Sequence, residues 1–127
     1  MRRALPISRN FLALERSQSA LQTSSVVIQQ APFERTTSYG KGAAKGPQAI
    51  LKASHQVELF DAALGLELVS AIPGIATLPP VAPGNRDGRQ YAQALRDETA
   101  HWIQQGKFVV TLGGEHTAIV EIGRAHV

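Results

Sequence analysis

Two short runs of apolar, largely β-branched residues constrain the fold of this chain more than any other feature. They are Ser24–Ile28, with the sequence SSVVI, and Phe108–Leu112, with the sequence FVVTL. Neither run alternates with polar residues, which is typical of strands that are covered on both faces. Segments with helical spacing lie between and after them. This order of elements predicts an α/β fold with a parallel sheet and helices on both of its faces.

Two helices are predicted between these strands. The first spans Gln48–Phe60 and opens after Gly46-Pro47, because proline is favoured in the first turn of a helix. Its predicted buried face consists of Ala49, Ile50, Ala53 and Val57. The second spans Arg86–Gln105 and ends before Gly106. Its predicted buried face consists of Tyr91, Leu95 and Trp102.

The segment between the two helices is interrupted by prolines. Val57–Phe60 and Leu66–Val69 are candidate strands. The prolines that follow are Pro73, Pro79, Pro80 and Pro83. Because proline cannot donate to a strand ladder, we expect a strand and then a long irregular connection. Beyond the second apolar run, Thr117–Val120 is expected to begin another helix.

The positive charge of the chain is concentrated at its N-terminus. The 127 residues include 13 Lys or Arg and 10 Asp or Glu, for a formal charge of +3. Four arginines and one glutamate lie within residues 1–16, so this segment carries the whole excess. A balanced body does not offer the basic surface that nucleic acid requires, and we expect no nucleic-acid partner. Residues 1–23 are expected to form a frayed, basic N-terminal arm.

Composition excludes several other classes of protein. The chain has no cysteine, which excludes a disulfide scaffold and a thiolate metal site. It contains no apolar run of about 18 residues, so we expect no membrane-spanning helix. The apolar stretch of the arm is too short for a secretory signal. We therefore expect a cytoplasmic protein, with an organellar presequence as the alternative that the Arg and Ser content of the arm leaves open.

The glycine-rich loop Gly40–Pro47 does not fit the standard phosphate-binding spacings. A dinucleotide-binding loop requires a third glycine where Lys45 stands. A Walker-type loop requires Lys and then Ser or Thr after its last glycine, whereas Pro47 follows Gly46 here. We interpret the loop as flexible chain leading into a helix, and we predict no cofactor-binding residue in it.

The segment Thr111–Thr117, with the sequence TLGGEHT, is the strongest candidate for a functional site. It places polar side chains at the end of a buried strand, and open α/β folds bind their ligands at that edge of the sheet. The two glycines allow the backbone to approach a ligand closely. Imidazole is the commonest metal ligand in proteins, so His116 is a candidate ligand. A lone histidine can equally be a structural residue, and the sequence pattern leaves that alternative open.

Val109–Thr117 resembles the first metal-binding motif of the ureohydrolase (arginase/agmatinase) family, in which Gly-Gly-Asp/Glu-His is usually followed by Ser. Thr37–Ile50 and Gln56–Asp61 resemble the agmatinase branch of that family. The resemblance extends from about Ser24 to Val120. It implies a three-layer α/β/α fold and hydrolysis of a guanidino C–N bond, with agmatine giving putrescine and urea. It also implies a binuclear manganese centre with His116 as one ligand, and assembly into a homo-oligomer.

The other metal-binding motifs of the family are missing from the chain. Neither an Asp-Ala-His-x-Asp segment nor an Asp-x-Asp segment occurs in it. We give Glu115 no ligand role, and we expect His55 and His101 to be packed or solvated residues of helices. The only predicted site residue is therefore the metal ligand His116; no catalytic residue is assigned. One ligand cannot hold two ions, so we expect the chain as given to be inactive.

Alternatives to an agmatinase remain open. Another ureohydrolase substrate is one, namely arginine, guanidinobutyrate, guanidinopropionate or formimidoylglutamate. A non-catalytic chain that acts only as an interaction module is another. Residues 24–120 are expected to be the N-terminal portion of a single ureohydrolase domain. Residues 121–127 are expected to be a non-native tail, because Ile122–Val127 can be encoded by a widely used sequencing-adapter sequence.

Overall fold

The computed structural model describes residues 3–35, 42–116 and 122–125. The strands are β1 (Val26–Ala31), β2 (Phe60–Asp61), β3 (Leu66–Glu67), β4 (Ile75–Thr77) and β5 (Phe108–Gly113). The α-helices are α1 (Arg16–Ser19), α2 (Gly46–Ser54), α3 (Gly88–Gln104) and α4 (Ile122–Ala125). Single 3-10 turns occupy Phe11–Ala13, Ala43–Lys45 and Leu68–Ala71. The predicted helix start at Thr117–Val120 lies outside the described residues.

Three parallel strands form the main sheet in the order β4-β1-β5. Val26 pairs with Ile75 on one side and with Phe108 on the other, and the pairing with β5 continues to Ala31 and Gly113. The predicted α/β fold with a parallel sheet is confirmed. Because the strands are parallel, the carboxyl ends of β1 and β5 lie together at one edge of the sheet.

The central strand β1 is buried on both faces, which explains why its sequence does not alternate. On one face, the Gln29 amide Nε2 donates to Thr99 Oγ1 of α3 at 2.6 Å and to Thr111 Oγ1 of β5 at 2.9 Å. The side chains of Ile28 and Gln30 point to the opposite face, where they too are buried.

Helix α3 confirms the second helix prediction and carries the main core contact. Its buried side includes all three predicted residues, together with Ala92 and Thr99. The Tyr91 ring stacks on Phe33 with 4.6 Å between centroids, and its hydroxyl donates to Val81 O at 2.6 Å. Gly106 follows the helix with a φ of +79°, the left-handed conformation expected of a C-terminal stop. Ile122 of α4 packs against the same cluster.

The N-terminus of α3 is fixed by a capping box. Asp87 Oδ1 accepts from the Gln90 backbone N at 2.8 Å, and Gln90 Oε1 accepts from the Asp87 N at 3.0 Å. We expect Asp87→Ala to lower the free energy of unfolding by about 0.5–2 kcal/mol, because one orphan N–H loses its acceptor. Urea denaturation measures the loss. Asp97→Ala is the control, since the Asp97 side chain is 70% exposed; equal losses in the two variants would contradict the assignment.

Strand β4 corrects the prediction of an irregular connection. Ile75–Thr77 pairs in parallel with Val26–Ile28 and makes β1 the central strand. The strand is only three residues long and lies between Pro73 and the Pro79-Pro80 pair. Three residues are too few to show a recognisable strand pattern in the sequence. The pairing of β4 also depends on contacts that are distant in sequence.

Helix α2 is shorter than predicted, and its predicted face is wrong. It ends at Ser54, and the four residues of the predicted face do not form its buried side. The buried residues are instead Pro47, Leu51 and Ser54. The N-terminal arm packs on this side, where Ser54 Oγ accepts from the Leu12 N at 2.8 Å.

The two candidate strands after α2, Val57–Phe60 and Leu66–Val69, are shorter than predicted. They form the antiparallel hairpin of β2 and β3, which is separate from the main sheet.

The expectation of a frayed N-terminal arm is wrong for residues 3–23. The Leu5 N donates to Thr77 O at 2.7 Å, and the Phe11 N donates to Thr77 Oγ1 at 2.9 Å. Asn10 is fully buried, and its side chain bonds both the N and the O of Leu14, at 2.7 and 2.9 Å. Backbone and amide contacts of this kind leave no apolar periodicity in the sequence. In the described part of the chain, no helix is both long and apolar enough to cross a membrane.

Candidate metal centre

The turn that follows β5 lies against the chain that leaves β1. Gly114 has a φ of +38°, and a Cβ at this position would lie 2.3 Å from Ala31 O and 2.8 Å from Phe33 O. Only glycine can make this approach without displacing backbone. Sequence analysis expected the two glycines of this turn to let a ligand approach closely. Gly114 instead lets the turn pack against the backbone at the end of β1 and just after it.

A second glycine brings the start of α2 to the same edge of the sheet. A Cβ at Gly46 would lie 2.9 Å from Gly113 O, which is closer than side chains normally come. The end of β5, the loop after β1 and the first turn of α2 thus meet around Gly113 and Gly114. This edge is where parallel α/β folds bind ligands.

Glu115 is buried and turned towards the protein. Its N donates to Phe33 O at 3.0 Å, and its carboxylate Oε2 accepts from the Arg35 N at 3.3 Å. These contacts hold the turn on the loop after β1, so Glu115 acts as a structural support. His116, the next residue, is exposed. The turn therefore directs the acidic side chain inward and leaves the imidazole accessible.

The glycine-rich loop is held by a carboxylate that sequence analysis did not single out. Glu34 Oε1 accepts from the Gly42 N at 2.6 Å and also from the Ala43 N. These amides are the groups that a phosphate would need, and a protein carboxylate already uses them. Gly40 and Lys41 lie outside the described residues.

Arg35 fixes the other side of the loop after β1. Its guanidinium lies 5.8 Å from the centre of the Phe33 ring, and its Nη2 donates to Gly84 O. Residues 33–35 follow the carboxyl end of β1, just as Gly114–His116 follow the carboxyl end of β5. That position was the signal that could have identified them from sequence.

The described residues supply one candidate metal ligand. Within residues 3–35, 42–116 and 122–125, no group of three or more His, Cys, Asp or Glu side chains is placed to hold a metal ion. The His55 Nε2 lies 2.8 Å from Asn10 O, and His101 packs edge-on against Trp102. His126 lies outside the described residues. The exposed imidazole of His116 suits one position of a metal centre, and the donors described do not complete that centre.

Comparison with known proteins identifies the family. The model of the Arginase family matches residues 24–127. The chain belongs to the arginase family. The Gly113–His116 turn lies within the matched residues and at the carboxyl edge of the parallel sheet.

Curated relatives that the chain matches include proteins named N(1)-aminopropylagmatine ureohydrolase. The protein from Synechocystis is 39% identical over 105 residues, covering 80% of this chain and 34% of the relative. A protein of that name from Thermus thermophilus is 33% identical over 101 residues, with the same coverage. The chain thus spans about a third of the length of the curated relatives it matches.

Solved structures show the same fold. An agmatinase structure from Burkholderia thailandensis, described as hypothetical, superposes with a TM-score of 0.75 over 93% of this chain and 37% of its own length. The agmatine ureohydrolase of Thermoplasma volcanium gives a TM-score of 0.71 over 86% of this chain and 36% of its own. Both are 22% identical to this chain, so they establish the arginase-like fold alone.

Proposed function

We propose that this chain is part of a manganese-dependent hydrolase of guanidino C–N bonds, of the agmatinase type. We propose that it contributes His116 as one metal ligand. The observation that carries the proposal is the turn after β5. It holds Glu115 inward against Phe33 and Arg35 and leaves His116 exposed at the carboxyl edge of the sheet. Neutral imidazole together with hard oxygen donors suits manganese.

The proposed substrate is an alkylguanidine that carries an amine, with urea and a polyamine as products. The names of the curated relatives favour N(1)-aminopropylagmatine over arginine. The sequence resemblance to the agmatinase branch favours agmatine. For agmatine, hydrolysis breaks the bond between the guanidino carbon and the alkyl nitrogen and yields putrescine and urea. We expect residues 1–127 by themselves to release no urea, since one imidazole cannot hold two ions.

A chimaera tests the proposal directly. The segment of the Synechocystis relative that this chain matches is replaced by residues 24–116 of this chain. With manganese, we expect the purified chimaera to release urea from N(1)-aminopropylagmatine or agmatine. Arginine, guanidinobutyrate, guanidinopropionate and formimidoylglutamate are assayed in parallel, and preference for one of them would replace the proposed substrate.

The histidine variants identify the ligand. We expect His116→Ala in the chimaera to lower urea release by about 100-fold or more and to weaken manganese binding, measured by calorimetry. His101→Ala is the matched control, because His101 is exposed on α3, and we expect its activity to be unchanged. A folded chimaera without activity would refute the proposed function, and full activity in the His116 variant would refute the assigned ligand.

A further inference from the structure

The β2–β3 hairpin exposes an unusual amount of apolar side chain. Val57, Phe60 and Leu64 are 58%, 59% and 61% exposed, and Leu66 is exposed as well. The hairpin is a separate two-stranded ribbon, closed by a bond from the Leu64 N to Asp61 Oδ1. A two-stranded ribbon is marginal on its own, and clustered apolar exposure of this kind marks an interaction surface. We refer to residues 57–67 as the apolar hairpin.

The charges of the apolar hairpin are all negative. They belong to Glu58, Asp61 and Glu67. The nearest basic residues along the chain are Lys52 and Arg86, so the whole stretch between them contains no Lys or Arg. The surface is therefore both apolar and acidic, which favours a partner that is apolar and basic.

The N-terminal arm presents a surface of that kind. Its first turn is closed by bonds from the Arg9 N and the Asn10 N to Pro6 O, both 2.9 Å. Ile7 at the tip is 51% exposed, and the flanking Arg3 and Arg9 are exposed as well. We refer to residues 3–9 as the basic turn. It is a described part of the segment that carries the net positive charge of the chain.

The residues that directly follow the basic turn contact the end of α2 from which the chain enters the apolar hairpin. The His55 Nε2 lies 2.8 Å from Asn10 O, and Ser54 Oγ accepts from the Leu12 N. The chain leaves this end of the helix and enters the hairpin within a few residues. Both surfaces nonetheless stay exposed, so within one copy neither covers the other.

We propose that the basic turn of one copy of this chain docks on the apolar hairpin of a second copy. Ile7 would pack against Phe60 and Leu64, and Arg3 and Arg9 would face Glu58 and Glu67. The two surfaces differ, so the contact closes either as two reciprocal contacts about a two-fold axis or as a ring. The apolar residues supply the buried area, and the complementary charges set the register.

Site-directed cross-linking tests the contact without background, because the chain has no cysteine of its own. Ile7→Cys and Leu64→Cys variants carrying different tags are mixed and oxidised mildly. We expect a disulfide to join the two variants. The control replaces Leu64→Cys with Ile50→Cys, since Ile50 is 44% exposed on α2. If the 7–64 pair links no faster than the 7–50 pair, the proposal is wrong.

Charge reversal tests the pairing independently. We expect wild-type protein to associate in sedimentation velocity, and Arg9→Glu and Glu67→Arg each to weaken association by about tenfold, with circular dichroism unchanged. Mixing the two variants restores opposite charges at both contacts between unlike copies and is expected to recover association. A monomer at all concentrations up to about 0.1 mM would overturn the proposal. An oligomer that neither reversal affects would also overturn it, since another surface would then be responsible.

Discussion

Replacing Gly114 by alanine is expected to lower the free energy of unfolding by about 3 kcal/mol or more. The new Cβ would lie 2.3 Å from Ala31 O and 2.9 Å from the Phe33 N, and both atoms belong to backbone that cannot yield easily. The φ of +38° adds strain for any residue with a side chain. Urea denaturation followed by far-ultraviolet circular dichroism measures the loss.

The adjacent glycine provides a matched control for this variant. A Cβ at Gly113 would meet no atom within 4 Å, and its φ is not positive. We expect Gly113→Ala to change stability by less than about 1 kcal/mol. If both variants lose the same amount, the close approach of the turn to β1 is not what requires glycine at position 114.

Truncating Tyr91 is expected to have the other large effect. Tyr91→Ala removes a fully buried ring that stacks on Phe33, and we expect a loss of about 3–5 kcal/mol. The Phe33 carbonyl also accepts the hydrogen bond from the Glu115 N, so the loss of packing should loosen the turn that carries His116. Hydrogen exchange at the amides of Glu115 and Arg35 would report that loosening.

Tyr91→Phe separates packing from hydrogen bonding. It keeps the ring and removes the hydroxyl that donates to Val81 O, and we expect a loss of about 1–2 kcal/mol. A loss in Tyr91→Phe as large as that in Tyr91→Ala would mean that the hydroxyl, rather than the stacked ring, stabilises this part of the core.

The elements that sequence predicted well are those with many residues in one periodic pattern. Helix α3 has 17 residues, a capping box and a stop at Gly106, so local signals agree along its whole length. The strands β1 and β5 are both six-residue runs; β1 is buried after its first residue, and β5 is half-buried after its exposed first residue. For these elements, local chemistry and tertiary contacts favour the same structure.

The features that sequence missed depend on contacts distant along the chain. The local sequence does not show which side of α2 is buried. The buried side contains Leu51 and Ser54, and Ser54 is bonded by the distant arm residue Leu12. Within the described residues β5 is an edge strand, and its first residue Phe108 is 70% exposed. Apolar sequence alone cannot separate such a strand from one with neighbours on both sides.

Sequence analysis placed the candidate turn at the carboxyl end of a strand, where the structure has it. The ligand role of His116 stays a prediction. Phe33 and Arg35 hold the turn through a backbone O and a backbone N, and they were missed because their role depends on backbone atoms. Backbone donors and acceptors are present at every position, so their use leaves no mark in the sequence.

The parallel pairing of β1 with β5 has a consequence for synthesis on the ribosome. Some 77 positions separate Ala31 from Phe108. At about 5–20 residues per second, β1 waits about 4–15 s for this partner to be made. β4 is translated earlier and can pair with the other edge of β1 during that interval. The central strand is therefore completed from one side first, and its second edge is the part of the nascent chain most in need of protection by chaperones.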